Sequence, residues 1–178
     1  MAARNRLPPW HEELRLRDGR ELLIRPVRPD DAGPLREGFA LLRPDEVRDR
    51  FLEPLHELSA QRADRLCRPD PRNEFALVAA EPLPPGEALV GAVARAARIE
   101  NSKDAEFSIL VSHFISGQGL GRHLMRRIVR WARGKRFERL RGDVLADNLP
   151  MLALADSLGF RRTDGAGDPS LVRVVLDL

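Results

Sequence analysis

Apolar and polar positions along the chain switch between a strand-like and a helix-like period, and these switches divide it into short elements. Apolar runs bounded by turn residues predict strands over 13–17, 21–25, 74–81, 88–99, 105–111, 139–145, 160–163 and 171–178. Longer amphipathic runs predict helices over 30–42, 44–52, 59–68, 120–134 and 148–158. We expect one α/β (α+β) domain over residues 13–178, preceded by a flexible tail at 1–12.

Local signals mark several element boundaries. The Asp18-Gly19 pair between the first two strands is a strong signal for a β-hairpin. Asp30 and Asp31 are expected to serve as the cap and first-turn acid of the first helix, and Ser59 as the N-cap of the third.

Composition narrows the possible functions. With 178 residues, 43% of them apolar, the chain can form one domain with its own core. It has no apolar run as long as a membrane span, no apolar signal segment at its N-terminus, and a single cysteine, Cys67. We therefore expect a cytoplasmic protein that does not associate with a membrane and has neither an internal disulfide bond nor a bound metal. Its 30 basic residues are interleaved with 27 acidic ones for a net charge of +3, which argues against nucleic-acid binding.

The most informative segment is a glycine-rich turn between the strand 105–111 and the helix 120–134. Gly117, Gly119 and Gly121 stand at alternate positions around the start of that helix. Glycine lets the backbone curl tightly, and a helix N-terminus offers free N–H groups and the positive end of the helix dipole. The segment is either a phosphate-binding turn or an ordinary tight turn. It lacks the Gly-Lys-Ser/Thr of a P-loop and the GxGxxG spacing of a dinucleotide site.

The turn, Ser116-Gly117-Gln118-Gly119-Leu120-Gly121, resembles the acetyl-CoA signature Gln/Arg-x-x-Gly-x-Gly/Ala of the GNAT N-acetyltransferase superfamily. Segments 16–19, 24–31, 105–111, and 148–155 with 158–160 resemble the GNAT domain of bacterial Pat-type protein lysine acetyltransferases. The resemblance covers residues 13–178. It implies a single GNAT-like domain with a central mixed, mostly antiparallel sheet flanked by helices, and the hairpin is an N-terminal extension of this domain.

The resemblance also implies a site for acetyl-CoA as cosubstrate, with no metal. In the family the pantetheine arm pairs with the strand before the turn, and a backbone N–H near Leu110 donates to the oxyanion. Asn148 matches a family asparagine near the cosubstrate, but asparagine there is equally an ordinary N-cap. The implied cosubstrate-binding residues are Ile109, Leu110, Val111, Ser116, Gly117, Gln118, Gly119, Leu120, Gly121, Arg122 and Asn148.

Glu106 is the candidate general base, which must take a proton from an amine that is mostly charged at neutral pH. Strand alternation places it on one face with Ser108 and Leu110. Pat-type domains have a glutamate at the corresponding place. Glu74 and Asp143, also on predicted strands, are the alternatives.

Several positions depart from the family pattern or are set aside. Ser116 stands where Gln or Arg is usual, so a side-chain contact is lost while the backbone turn remains. Ala155 stands where many GNAT enzymes have a tyrosine that protonates the leaving thiolate, and the chain contains no tyrosine. Water or Ser157 would then supply the proton. His113 and His123 lack metal-ligand spacing and are predicted to have no chemical role.

Taken with the resemblance, these features predict an acetyl-CoA-dependent N-acetyltransferase. The expected acceptor is a protein lysine, on an acyl-CoA-synthetase-type enzyme as in the Pat family, and a homodimer is also considered. Two alternatives stay open: an enzyme that acetylates a small amine, and a non-catalytic acyl-CoA sensor, which Ser116 and the missing tyrosine suggest.

Overall fold

The computed structural model of the protein describes residues 11–52, 55, 57–164 and 166–178. The predicted tail at 1–12 lies almost wholly outside this part, and the first strand already begins at Glu12. A short 3-10 turn (Pro29–Asp31) precedes the first helix. The strands are β1 (Glu12–Arg15), β2 (Glu21–Pro26), β3 (Glu74–Ala80), β4 (Val90–Arg98), β5 (Asp104–Val111), β6 (Arg139–Leu145), β7 (Arg161–Thr163) and β8 (Leu171–Asp177). The helices are α1 (Ala32–Ala40), α2 (Pro44–Phe51), α3 (Ala60–Leu66), α4 (Leu120–Gly134) and α5 (Leu149–Ser157).

Every predicted strand and helix is present among the described residues, with ends that differ by at most two residues. The strands form one sheet in the order β1-β2-β3-β4-β5-β6-β8-β7. All neighbouring strands are antiparallel except β5 and β6, which are parallel. The expected mixed, mostly antiparallel sheet is therefore confirmed. The hairpin is confirmed as well, with Gly19 at a φ of 89° in its turn.

The two faces of the sheet carry different helices because strand side chains alternate between them. On β3, Leu77 and Ala79 belong to the main core, which contains the buried faces of α4 and α5. Val78, between them in sequence, points to the opposite face and packs with residues of α1. A third cluster joins α1, α2 and α3 on that side. No helix in the described part of the chain has the length and hydropathy of a transmembrane segment.

Asp30 and Asp31 lie in the first turn of the 3-10 segment that precedes α1, as expected of first-turn acids. Asp31 also occupies the N-cap position of α1, but its side chain makes no capping hydrogen bond to that helix. Both its carboxylate oxygens accept hydrogen bonds from the Arg25 guanidinium, each at 2.8 Å, and one also accepts the Arg28 backbone N–H at 2.7 Å. The side chains of Arg25 and Asp31 are 0% exposed. The contact ties β2 to the start of α1, and local helix signals alone do not reveal it.

Replacing Asp31 by Asn should lower the free energy of unfolding by about 3–5 kcal/mol, because the change leaves the buried Arg25 charge without a counter-ion. Urea denaturation measures this loss. Asp30→Asn removes the same charge from the exposed neighbouring position and should change stability by less than about 0.5 kcal/mol. Equal losses in the two variants would contradict a stabilising role for the pair.

Candidate functional site

β5 and β6 are neighbours in the sheet, but they remain paired only at their beginnings. Their parallel register covers residues 104–106 of β5. Beyond Glu106, β5 continues beside β4 to Val111, while β6 continues beside β8 to Leu145. The edge of β5 that faces β6 therefore has no strand partner after Glu106, so its backbone groups are available to an extended ligand.

The ring of Phe107 lies where β5 and β6 separate. It is almost fully buried and packs edge-on against Phe160, with the ring centroids 5.4 Å apart. On β6 it faces Gly142, where an added Cβ would lie only 2.7 Å from two of its ring carbons. The aromatic ring thus occupies the point of divergence, and only glycine at position 142 leaves room for it.

Residues 112–119 lead from β5 into α4. Gly117 and Gly119 have φ values of 74° and 79°, and an added Cβ on either would meet no atom within 4 Å. Glycine is therefore favoured at both positions by backbone conformation and not by crowding. Gly119 is the N-cap of α4, and its carbonyl oxygen accepts the His123 N–H at 3.2 Å. The amides of 120–122 precede this first helical bond, so they are free to donate to an anion at the positive end of the helix dipole.

Two polar side chains of the turn make hydrogen bonds within the protein. Ser116 Oγ donates to the carbonyl oxygen of His113 at 3.2 Å. Arg122 Nη2 donates to Ser157 Oγ at 2.7 Å, and that hydroxyl donates in turn to the Leu154 carbonyl oxygen. In this arrangement the turn offers an anion its backbone amides. The cosubstrate contacts of residues Ser116 and Arg122, and the proton-donor role of Ser157, stay predictions.

The N-terminal hairpin is bonded to the same turn. Gln118 Nε2 donates to the Asp18 carboxylate at 3.0 Å, and the Arg20 guanidinium donates to the carbonyl oxygen of Phe114. Hydrogen bonds from the Arg20 side chain and backbone, and then from Gln118, hold the pKa of Asp18 well below its ordinary value. Asp18 therefore stays ionised at neutral pH. The hairpin extension thus supports the glycine turn from outside.

Glu106 lines a cavity of about 340 Å³ at the divergence of β5 and β6, which we call the Glu106 cavity. Ser108 and Ile109 of β5, together with Asp143 and Asn148, form part of the same wall. The Glu106 side chain is exposed, and no described residue donates a hydrogen bond to its carboxylate or forms an ion pair with it. This carboxylate is free to accept a proton from a group that enters the cavity.

The two alternative bases are both engaged by arginines. Glu74 accepts hydrogen bonds from Arg65 on one oxygen and from Arg95 on the other, each at 2.9 Å. Asp143 forms a two-point contact with Arg173, at 2.9 and 3.1 Å. The oxygens of both carboxylates are thus already engaged within the protein, whereas those of Glu106 are open to a ligand. The arrangement favours Glu106 over both.

Helix α5 forms the far side of the site. Asn148 is its N-cap, because Oδ1 accepts the Met151 N–H at 3.3 Å, and it also lines the Glu106 cavity. The N-cap interpretation is therefore confirmed, and the cosubstrate contact stays a prediction. Ala155 is fully buried in the main core and supplies no proton donor. Helix α4 approaches α5 closely at Gly121, where an added Cβ would lie 3.3 Å from Leu154 Cδ2.

The two histidines that were set aside connect distant elements. His113 Nδ1 contacts the Glu46 carboxylate of α2, and His123 Nε2 lies 3.0 Å from the Glu12 carboxylate of β1. Within residues 11–52, 55, 57–164 and 166–178, no three His, Cys, Asp or Glu side chains are grouped as metal ligands.

A group of arginines in the lining of the Glu106 cavity was not predicted from the sequence. Arg50, Arg62 and Arg95 line it, and we call them the basic wall. The guanidinium carbons of Arg50 and Arg62 lie 4.7 and 4.8 Å from the centroid of the Phe51 ring. The three arginines come from α2, α3 and β4, so no local spacing in the sequence signals that they meet.

An open strand edge that leads to a glycine-rich helix N-terminus, with a free carboxylate on the same strand, suits a protein that holds an extended, phosphate-bearing cosubstrate beside an acceptor cavity. The acetyltransferase (GNAT) domain family matches residues 21–161 of the chain. The acetyltransferase PA5475 of Pseudomonas aeruginosa is 31% identical over 151 residues, which cover 85% of this chain and 80% of that protein.

Solved structures of GNAT proteins have the same fold as this chain. The GNAT domain of S. lividans PAT superposes with a TM-score of 0.84 at 25% identity, covering 97% of this chain and 100% of that one. The cAMP-binding acyltransferase from Mycobacterium smegmatis shares the fold, with a TM-score of 0.62 at 24% identity over 94% of this chain and 47% of that one. The protein belongs to the GNAT family of acetyltransferases, which confirms the resemblance drawn from the sequence. The family implies acyl-CoA as cosubstrate, and the open β5 edge and the free amides of α4 fit it.

Proposed function

We propose that this protein transfers the acetyl group of acetyl-CoA to the side-chain amine of a protein lysine. The observation that carries the proposal is the free carboxylate of Glu106, which lies in a cavity where β5 loses its partner strand. The similarity to the GNAT domain of S. lividans PAT supports a protein acceptor. An acyl-CoA-synthetase-type enzyme is the acceptor that we favour.

Acetyl-CoA is held mainly by backbone groups. The pantetheine arm lies along Ile109, Leu110 and Val111, where β5 has an unpaired edge. The turn residues 116–122 donate their N–H groups to the pyrophosphate, and the dipole of α4 adds to the attraction. Asn148 contacts the cosubstrate from the start of α5. The Leu110 N–H donates to the thioester oxygen, where negative charge develops during the reaction.

Glu106 prepares the acceptor. It removes a proton from the lysine ammonium, and the neutral amine then attacks the thioester carbon. Glu74 and Asp143 remain bound to their arginines. A coenzyme A thiolate leaves without a strong acid, so the absence of tyrosine does not prevent turnover.

Label transfer from acetyl-CoA tests the proposal. Purified acyl-CoA-synthetase-type enzymes should become labelled, and variants with Arg in place of the acceptor lysine should not. A parallel panel contains polyamines, amino acids and aminoglycosides. Label on the small amines alone would reject the protein acceptor. Label on neither panel, with acetyl-CoA still bound, would instead support the sensor function.

A further inference from the structure

Two residues of the basic wall, Arg50 and Arg95, line two neighbouring cavities. Arg50 lines the Glu106 cavity and also a second, largely apolar cavity of about 610 Å³ beneath α1, α2 and α3. Phe51 and Arg95 line both cavities as well. Arg50 is therefore within the lining that a group bound in the Glu106 cavity would face.

Arg50 has no counter-ion among the described residues. Arg95 is paired with Glu74, whereas the Arg50 guanidinium lies over the Phe51 ring and forms no ion pair with a described residue. Burial, with the nearby charges of Arg95 and Arg62, lowers the pKa of Arg50 to about 10. Arg50 thus remains protonated at neutral pH. A partly buried cation that no described residue neutralises is suited to bind an anionic ligand.

Acidic groups occupy other parts of the same cavity. Glu106 and Asp49 both line it, and neither forms an ion pair with a described residue. Burial, and next the charge of Asp147, raise the pKa of Asp49. The Glu106 cavity thus presents free cations (Arg50 and Arg62) and free carboxylates together. Such a cavity is complementary to a ligand that carries both charges.

We infer that the acceptor carries a carboxylate beside its reactive amine, and that Arg50, assisted by Arg62, binds this carboxylate. The inference rests on the proposed function, since it assigns the amine to Glu106. Guanidinium presents paired N–H groups that match the two oxygens of a carboxylate. A phosphate dianion fits less well, because Glu106 and Asp49 would repel its second charge. With a protein acceptor the carboxylate belongs to an acidic residue near the acceptor lysine. A free amino acid would supply the same group, and its use as acceptor would keep the carboxylate site but reject the protein acceptor.

Matched acceptors test the inference and separate these two sources. One set contains lysine peptides with a single Asp one to three residues from the lysine, each with an Asn counterpart. The other contains free amino acids and their amides. In the set that holds the true acceptor, the carboxylate member should have a kcat/KM about 10- to 100-fold higher, the usual worth of a hydrogen bond to a charged group.

Arg50→Gln should remove this preference by slowing only the carboxylate member, mainly through KM. Arg50→Lys, which keeps the charge but not the paired donors, should restore part of it. Arg130→Gln makes the same charge change on the exposed side of α4 and should leave the preference intact. Because Arg50→Gln removes an uncompensated charge, its Tm without ligand should equal or exceed that of the wild type. Equal loss on both members of a pair, or a lower Tm, would mean that Arg50 is merely structural and would overturn the inference.

A binding measurement decides the inference even where no acceptor is labelled. With coenzyme A present, N-acetylglutamate should raise the Tm of the wild type more than N-acetylglutamine does, and Arg50→Gln should abolish the difference. If N-acetylglutamate raises the Tm more than N-acetylglutamine does, but no acceptor is labelled, the carboxylate site is supported and the proposed function is rejected. If acceptors are labelled, but neither kcat/KM nor Tm differs between the carboxylate and amide members of a pair, the proposed function is supported and the carboxylate site is rejected.

Discussion

Glu106→Gln should lower turnover by about 10²–10⁴-fold at neutral pH, the range usual for loss of a general base. The substitution keeps the size and polarity of the side chain but cannot accept the ammonium proton. Acetyl-CoA should still bind nearly as well, because its proposed contacts are backbone groups of β5 and the glycine turn. Steady-state kinetics with saturating acetyl-CoA measure the loss, and thermal denaturation with the ligand measures binding.

Two comparisons sharpen this test. Turnover of Glu106→Gln should recover partly as the pH rises, because more of the acceptor amine is then neutral. Glu87→Gln makes the same change in an exposed turn between β3 and β4 and should leave turnover unchanged. Full activity in Glu106→Gln would move the base to Asp143, to Glu74 or to a chain of waters.

Gly119→Glu should abolish the stabilisation of the protein by acetyl-CoA. Ligand at 100 times its Kd adds about 2.7 kcal/mol to the stability of the wild type. In the variant a carboxylate stands at the N-cap of α4, next to the amides that would receive the pyrophosphate. Thermal denaturation of each protein with and without acetyl-CoA measures this stabilisation in the wild type and in the variant.

Gly119→Ala is the matched control for backbone strain. Both variants place a Cβ on a residue with a φ of 79°, so both lose stability without ligand. Only the glutamate brings a negative charge. Alanine should therefore retain most of the ligand-dependent shift. A folded Gly119→Glu protein with the same shift as the wild type would show that the pyrophosphate binds elsewhere.

The bonds between the hairpin and the glycine turn give the N-terminal extension a role in this site. Asp18 and Arg20 hold Gln118 and the Phe114 carbonyl oxygen, one on each side of Gly117. The segment that first suggested a Pat-type domain, residues 16–19, is thus part of the support of the proposed cosubstrate site.

Local features of the sequence were enough to predict the elements and the glycine turn. Asp18-Gly19 forms the hairpin turn, and Ser59 and Asn148 cap their helices through their own side chains. Gly117 and Gly119 adopt the positive φ values that their positions indicated. Each of these outcomes depends on residues within a few positions along the chain, where backbone preferences and short hydrogen bonds dominate.

The tertiary structure alone decided which charged groups are free. The sequence and its family resemblance made Glu106 the candidate base, with Glu74 and Asp143 as alternatives. Only the structure shows that both alternatives are paired with arginines, while no described residue pairs with Glu106. The tertiary structure likewise makes Asp31, which the sequence placed at a helix start, the partner of the buried Arg25. The basic wall has the same origin. Charges interact through space, so their partners are set by how the sheet and helices pack, and not by their spacing along the chain.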